Sequence, residues 1–114
     1  MEMVNPKKKM ILKGIPASAG VVEGKVKIVG NGKKISEFKE GDILVARITN
    51  PSMVMTISKS AAIITDIGGL TSHPAILSRE LGIPCIVGAE KATKVLKNGM
   101  KIKVDGKKGI VYEI

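Results

Sequence analysis

The sequence predicts an α/β protein of three layers, β/β/α: a small parallel central sheet, helices on one side, and a second, antiparallel β layer on the other. Three observations carry this. Short apolar runs, ILVA (43–46), AAIIT (61–65) and PCIVG (84–88), recur with helical patterns between them, giving a β-α-β-α-β order. Runs that are apolar throughout suit strands covered on both faces, and crossovers of this length join parallel strands with right-handed connections. Both ends of the chain carry valine-rich, glycine-punctuated segments that read as antiparallel β and supply the remaining layer.

The elements follow in order. Residues 1–10 read as a loosely ordered basic N-terminus, and the whole chain, 1–114, as a single domain. KGIPASAGVVEGKVKIVG (13–30) alternates around glycines as β structure, and NGKK (31–34) is a turn. EGD (40–42) turns into the first buried strand. Asn50 is a fair N-cap and Pro51 fits the first helical position, so a short helix runs to about Lys59, with Met53 and Met55 as packing residues. After AAIIT, DIGGLTS is a loop and HPAILSREL a helix ended by Gly82 and Pro84. PCIVG is the third strand. ATKVLKNG (92–99) reads as a short helix with Gly99 as its C-cap, and KIKVDGKKGIVYEI as a hairpin around DGKKG.

Composition excludes several function classes. No apolar run approaches the ~20 residues that span a bilayer, and no long apolar h-region follows the N-terminal lysines as it would in a signal peptide. The single cysteine, Cys85, allows no intrachain disulfide and no cysteine-based zinc cluster, and its apolar strand makes it a small buried hydrophobe. The expected setting is the cytoplasm. The net charge of +9 comes mostly from lysine, with Arg47 and Arg79 the only arginines and Phe38 and Tyr112 the only aromatics. Readers of single strands need stacking platforms and readers of base edges favour arginine, so nucleic acid is not the expected partner. The lysines read as a solvated surface.

Candidate chemistry concentrates in DIGGLTSHPAILSR (66–79), which holds the only histidine. In open α/β sheets ligands bind beyond the carboxyl ends of the strands, and this loop lies at such an end and enters a helix N-terminus. Gly68 and Gly69 permit unusual backbone angles and close approach of an anionic group. Thr71 or Ser72 is the N-cap, and Pro74 is tolerated in the first turn. His73 thus stands where an anion would be held and can serve as a nucleophile for a phosphoryl group. The other reading is a surface histidine near a helix start, with the glycines merely making the turn. No Gly-Lys-Ser/Thr follows the glycines, so this is not a nucleotide phosphate loop, and one histidine makes a metal site improbable. Arg79 either reaches a partner's phosphate or pairs with a carboxylate such as Glu80, Asp66 or Glu90. Asp66 is expected to accept backbone N–H groups and to turn away from a phosphorylated histidine.

GGLTSHPAILSRELGIPCIVG (68–88) closely resembles the phosphohistidine motif of the phosphoenolpyruvate-utilising enzymes, and the synthase and dikinase branch is the better match. LKGIPASAGVVEGKVKIV (12–29), GDILVARITNPSMV (41–54) and KVLKNGMKIKVDGKKGIVY (94–112) resemble the opening, middle and end of the same mobile domain, so the resemblance covers nearly the whole chain. It implies the swivelling β/β/α fold. It implies that His73 accepts a phosphoryl group, with Thr71 and Ser72 beside it, Gly68, Gly69 and Leu70 around the phosphate, and Arg79 and Glu80 in support. It further implies no tightly bound cofactor and no metal in this domain. Mg and ATP or phosphoenolpyruvate are expected on separate ATP-binding and phosphoenolpyruvate- or pyruvate-binding partner domains or proteins. Two departures stand out: Pro74 replaces the usual small residue after the histidine, and neither partner domain fits in a chain this short. A non-catalytic regulatory or interaction module that keeps the fold is the alternative expectation.

Overall fold

A computed structural model describes residues 9–30 and 37–114. The turn expected over NGKK lies outside these residues, as does the basic N-terminus up to Lys8. Lys9 and Met10, expected in a loose segment, instead begin a strand.

Alternation along the short apolar strands sets the layers. β1 (Lys9–Lys13), β2 (Ile15–Ser18) and β3 (Val21–Ile28) precede β4 (Ile43–Ala46); β5 (Ala62–Thr65) and β6 (Cys85–Val87) follow, and β7 (Lys101–Asp105) and β8 (Ile110–Glu113) close the fold. Every residue of β4, β5 and β6 is buried. Successive side chains on a strand point to opposite faces, so each strand feeds two cores. Ile43, Val45, Ala62, Ile64 and Ile86 join one cluster with Val26 of β3 and with Leu12, Ile102, Val104 and Val111 from the antiparallel strands. Leu44, Ile63, Cys85 and Val87 join the other, against Met53, Ile57 and Ala75 from the helices. Burying each large aliphatic side chain contributes about 1.5–3 kcal/mol, and here both faces of the sheet collect it.

The strand order is β1-β8-β7-β3-β4-β5-β6-β2. β3, β4, β5 and β6 run parallel, with Val26 opposite Ile43, Ile43 opposite Ala62 and Ile63 opposite Cys85. β3 belongs to both sheets: its first half, Val21–Lys25, pairs antiparallel with β7, and only its second half pairs with β4. β7 and β8 form the expected hairpin, whose turn is held by Asp105 Oδ1 accepting the N–H of Lys107 and Lys108. β1 lies beside β8, and β2 crosses to the far edge to pair antiparallel with β6.

Two helices cover the outer face of the parallel sheet. A 3₁₀ turn, Pro51–Met53, leads into α1 (Val54–Lys59), and Asn50 caps it by accepting the Ser52 N–H at 3.0 Å. α2 (His73–Leu81) ends on Gly82 at φ 72°, the left-handed stop that glycine supplies. Met53 is buried, but Met55 is 72% exposed, so only the first of the two methionines packs. The third helix is shorter than its sequence pattern: α3 covers Ala92–Val95, and Gly99 is not its cap. Leu96 leaves the helix in extended geometry because it is fully buried among the strands, and the Gly99 N–H instead bonds Val26 O at 2.9 Å. Ala92 and Leu96 belong to the cluster between the sheets, so α3 plugs that core while α1 and α2 form the helical layer.

Candidate functional site

Parallel strands bring their carboxyl ends to one rim, and the chemistry-bearing loops sit there. The segment after β4 supplies Thr49, and the segment after β5 runs from Asp66 to Ser72 into α2. His73 is the first residue of α2 and Ser72 its N-cap. The Ser72 side chain makes no capping bond; its Oγ donates to Gly69 O at 2.7 Å, and its N–H donates to the same carbonyl at 3.1 Å. The serine therefore closes a tight loop immediately before the histidine. Gly68 sits at φ 133°, and a Cβ there would lie 3.0 Å from Ser72 Oγ, so glycine is demanded at this point. Gly69 is different. A Cβ added there meets nothing within 4 Å, and the space above it is open.

His73 is half-buried, with Nδ1 3.3 Å from Oγ1 of Thr49, whose side chain is buried. Sequence reading missed Thr49. The signal was available: Thr49 lies at the carboxyl end of the strand next to β5, under the rule that placed the histidine loop. Leu70 and Thr71 are exposed beside the histidine, and Glu80 is exposed on α2. Pro74 is buried in the first helical turn, and the helix closes its first backbone bond from Ile76 N to Ser72 O at 3.0 Å, so the proline interrupts nothing.

Asp66 is tied elsewhere. Its Oδ1 accepts the Thr93 N–H at 3.0 Å and its Oδ2 accepts the Thr93 hydroxyl, which joins the end of β5 to the start of α3. Arg79 pairs with none of the three carboxylates expected for it, Glu80, Asp66 and Glu90. Its Nη1 donates to Ala17 O at 2.9 Å and its Nη2 to Leu70 O at 2.6 Å, and among the described residues it forms no ion pair. Beneath Pro74, the Cys85 thiol points at Pro74 O at 3.9 Å. Burial pushes this thiol up to about 11, against smaller opposing effects of a Ser78 hydrogen bond and the Arg79 charge. The fold thus favours the neutral thiol. That contribution is complete below pH 9.0 and is lost as pH rises toward 11. At about pH 8 the folded chain is expected to resist alkylation by iodoacetamide, while the denatured chain reacts freely. Rapid labelling of the native thiol would contradict the burial.

No group of three or more His, Cys, Asp or Glu side chains able to hold a metal occurs among the described residues, and none of their helices is long and apolar enough to cross a membrane. The family model described as "PEP-utilising enzyme, mobile domain" matches residues 38–109. The chain belongs to this family. A probable phosphoenolpyruvate synthase of Archaeoglobus fulgidus is 57% identical over 105 residues, covering 92% of this chain and 14% of that protein. The phosphoenolpyruvate synthase of Pyrococcus furiosus is 55% identical over 104 residues, covering 91% and 13%. The mobile domain described here therefore spans about 14% of the length of the curated relatives it matches. A solution structure of Enzyme I (nEIt) is 39% identical with a TM-score of 0.58, covering 68% of this chain and 32% of that one. Aconitase X of Thermococcus kodakaraensis shares the fold at 22% identity, with a TM-score of 0.66 over 90% of this chain and 97% of that one. The family and its neighbours support a phosphotransfer domain of α/β architecture.

Proposed function

We propose that this mobile domain carries a phosphoryl group on Nε2 of His73, taking it from one partner site and giving it to another. The observation that carries the reading is the contact between Thr49 Oγ1 and His73 Nδ1 at the carboxyl rim of the parallel strands. With the proton on Nδ1 donated to Thr49, the Nε2 lone pair is free. That lone pair forms a bond to phosphorus as the P–O bond to the donor breaks, and the electron pair leaves with the donor oxygen. Nδ1 keeps its proton, so the ring becomes a phosphoryl imidazolium, a good leaving group for the next transfer. An acceptor oxygen then attacks phosphorus, and the N–P electrons return to Nε2. The exposed Thr71 hydroxyl and the open space above Gly69 leave room for a phosphoryl group and its partner site. Partner domains or proteins supply ATP or phosphoenolpyruvate, with Mg, and pyruvate or another acceptor, in the cytoplasm.

The test is labelling. The chain is incubated with a phosphoenolpyruvate synthase lacking its own mobile domain, plus labelled ATP or phosphoenolpyruvate. Acid-labile, alkali-stable label with the phosphorus resonance of an Nε2 adduct is the expected product. Absence of label with any such partner would sink the reading. Thr49→Val keeps the shape of the side chain and removes its hydroxyl. It is expected to slow phosphorylation about tenfold, the worth of roughly 1.4 kcal/mol for one lost hydrogen bond to the ring. An unchanged rate would separate Thr49 from the chemistry.

A further inference from the structure

We propose that Arg79 is the positioning residue of the phosphoryl-accepting loop, fastening the Leu70 carbonyl, three residues before His73, to the edge strand β2. The proposal rests on the carrier reading above. Its basis is the pair of bonds from one guanidinium to two main-chain oxygens, Ala17 O at 2.9 Å and Leu70 O at 2.6 Å. Those acceptors lie on different segments, one on β2 and one in the loop before α2. Ala17 is a buried residue of β2, which is itself paired to β6. Leu70 offers no side-chain anchor, since it is 53% exposed. Its carbonyl is therefore the point at which this part of the loop is held.

The loop has two fastenings and they differ in kind. Ser72 grips Gly69 O locally, through its own N–H and hydroxyl. Arg79 grips the next residue from the far end of α2 and ties it to a strand on another part of the rim. Two glycines precede the gripped carbonyl, so little in the local backbone would stop the loop from drifting without the arginine. A planar fork reaches two carbonyls at once, which a lysine ammonium on a flexible stem does not reproduce. No carboxylate among the described residues pairs with Arg79, so none of them neutralises its charge beside the loop that must receive an anion. The same charge acts on buried Cys85 below the histidine turn. Arg79 thus contributes alignment directly and a favourable field from a distance, without touching the reacting atoms.

The experiment compares Arg79→Lys and Arg79→Ala with the unaltered chain. Three readouts are taken: the initial rate of His73 phosphorylation by a synthase lacking its mobile domain, the thermal midpoint, and amide hydrogen exchange across Gly68–Ser72. Arg79→Lys is expected to be phosphorylated about tenfold or more slowly, because small misplacements of a reacting group are costly. The concentration giving half-maximal rate should stay unchanged, and the loop amides should exchange faster. Its thermal midpoint should move by no more than about 5 °C. Added guanidinium ion, at concentrations that leave the fold intact, should restore part of the Arg79→Ala rate. A wild-type rate for Arg79→Lys overturns the proposal. So does a slow Arg79→Ala whose loss tracks unfolding and resists rescue. If the unaltered chain takes no label, it is the carrier reading that falls. In that case unchanged exchange of the loop amides in Arg79→Lys would separately remove Arg79 as their anchor.

Discussion

Replacing His73 by glutamine is expected to abolish phosphoryl labelling altogether while leaving the fold intact. The imidazole is half-buried, and its Nδ1 lies 3.3 Å from Thr49 Oγ1. Exposed or half-exposed positions of this kind usually cost no more than about 0.5 kcal/mol on substitution, so the thermal midpoint should fall by no more than about 4 °C. Glutamine keeps a polar group near Thr49 but has no aromatic nitrogen lone pair that could accept phosphorus. Labelling with phosphoenolpyruvate or ATP in the presence of a synthase lacking its mobile domain, alongside a melting curve, gives both numbers. Label persisting on the variant would place the phosphoryl group elsewhere. The same variant separates the carrier from a regulatory module that merely keeps the fold. Such a module would bind its partner equally well with glutamine at this position.

Gly106→Ala is the largest expected stability effect. A Cβ at this position would lie 2.1 Å from the Ser18 carbonyl oxygen, with Pro84 and the Cys85 amide close behind. All are main chain or ring atoms, so no flexible side chain can yield. The Gly106 N–H also donates to Gly20 O at 2.7 Å, which pins the β7–β8 turn against the passage from β2 to β3. Forcing these segments apart is expected to cost about 3 kcal/mol, or roughly 12–20 °C in the thermal midpoint. Gly30→Ala is the control, since a Cβ there meets nothing within 4 Å. A melting curve for Gly106→Ala that overlays that of Gly30→Ala would show the turn to be looser than described.

The layers were legible because they follow from two local signals. Apolar runs at 43–46, 61–65 and 84–88 read as short strands covered on both faces, and the alternation of Ile63 and Ile64 between two cores is that signal in three dimensions. The cap at Asn50 and the stop at Gly82 were equally local. The misses all depend on distant partners. Leu96 continues a helical pattern, yet a sheet assembled from both ends of the chain draws it out of the helix. Met55 and Met53 are alike in sequence, and only the position of the sheet decides which one is buried.

The site divides in the same way. A histidine, two glycines and two hydroxyls in one short stretch announced themselves. Thr49 did not, because its tie to His73 joins residues 24 positions apart. For Arg79 the sequence offered charged partners, whereas the fold supplies main-chain oxygens, one of them 62 positions away. Carbonyls carry no residue identity, so no pattern of side chains could have pointed to them. Gly69 shows the opposite case. The fold leaves space for a Cβ there, so its glycine is not explained by packing.

The pairing of Lys9 with Glu113 joins the two ends of the described chain and is expected to form late in folding. The first described strand has its neighbour at the other end of the sequence, and the first half of β3, Val21–Lys25, likewise waits for β7. Closing such long loops costs entropy before any contact rewards it, so a barrier dominated by distant pairings is expected. On a ribosome, β1 would remain without its ladder until β8 had left the exit tunnel. The parallel strands and α2, whose contacts are nearer in sequence, can assemble first, so the loop that bears His73 is expected to take shape before the antiparallel layer closes behind it.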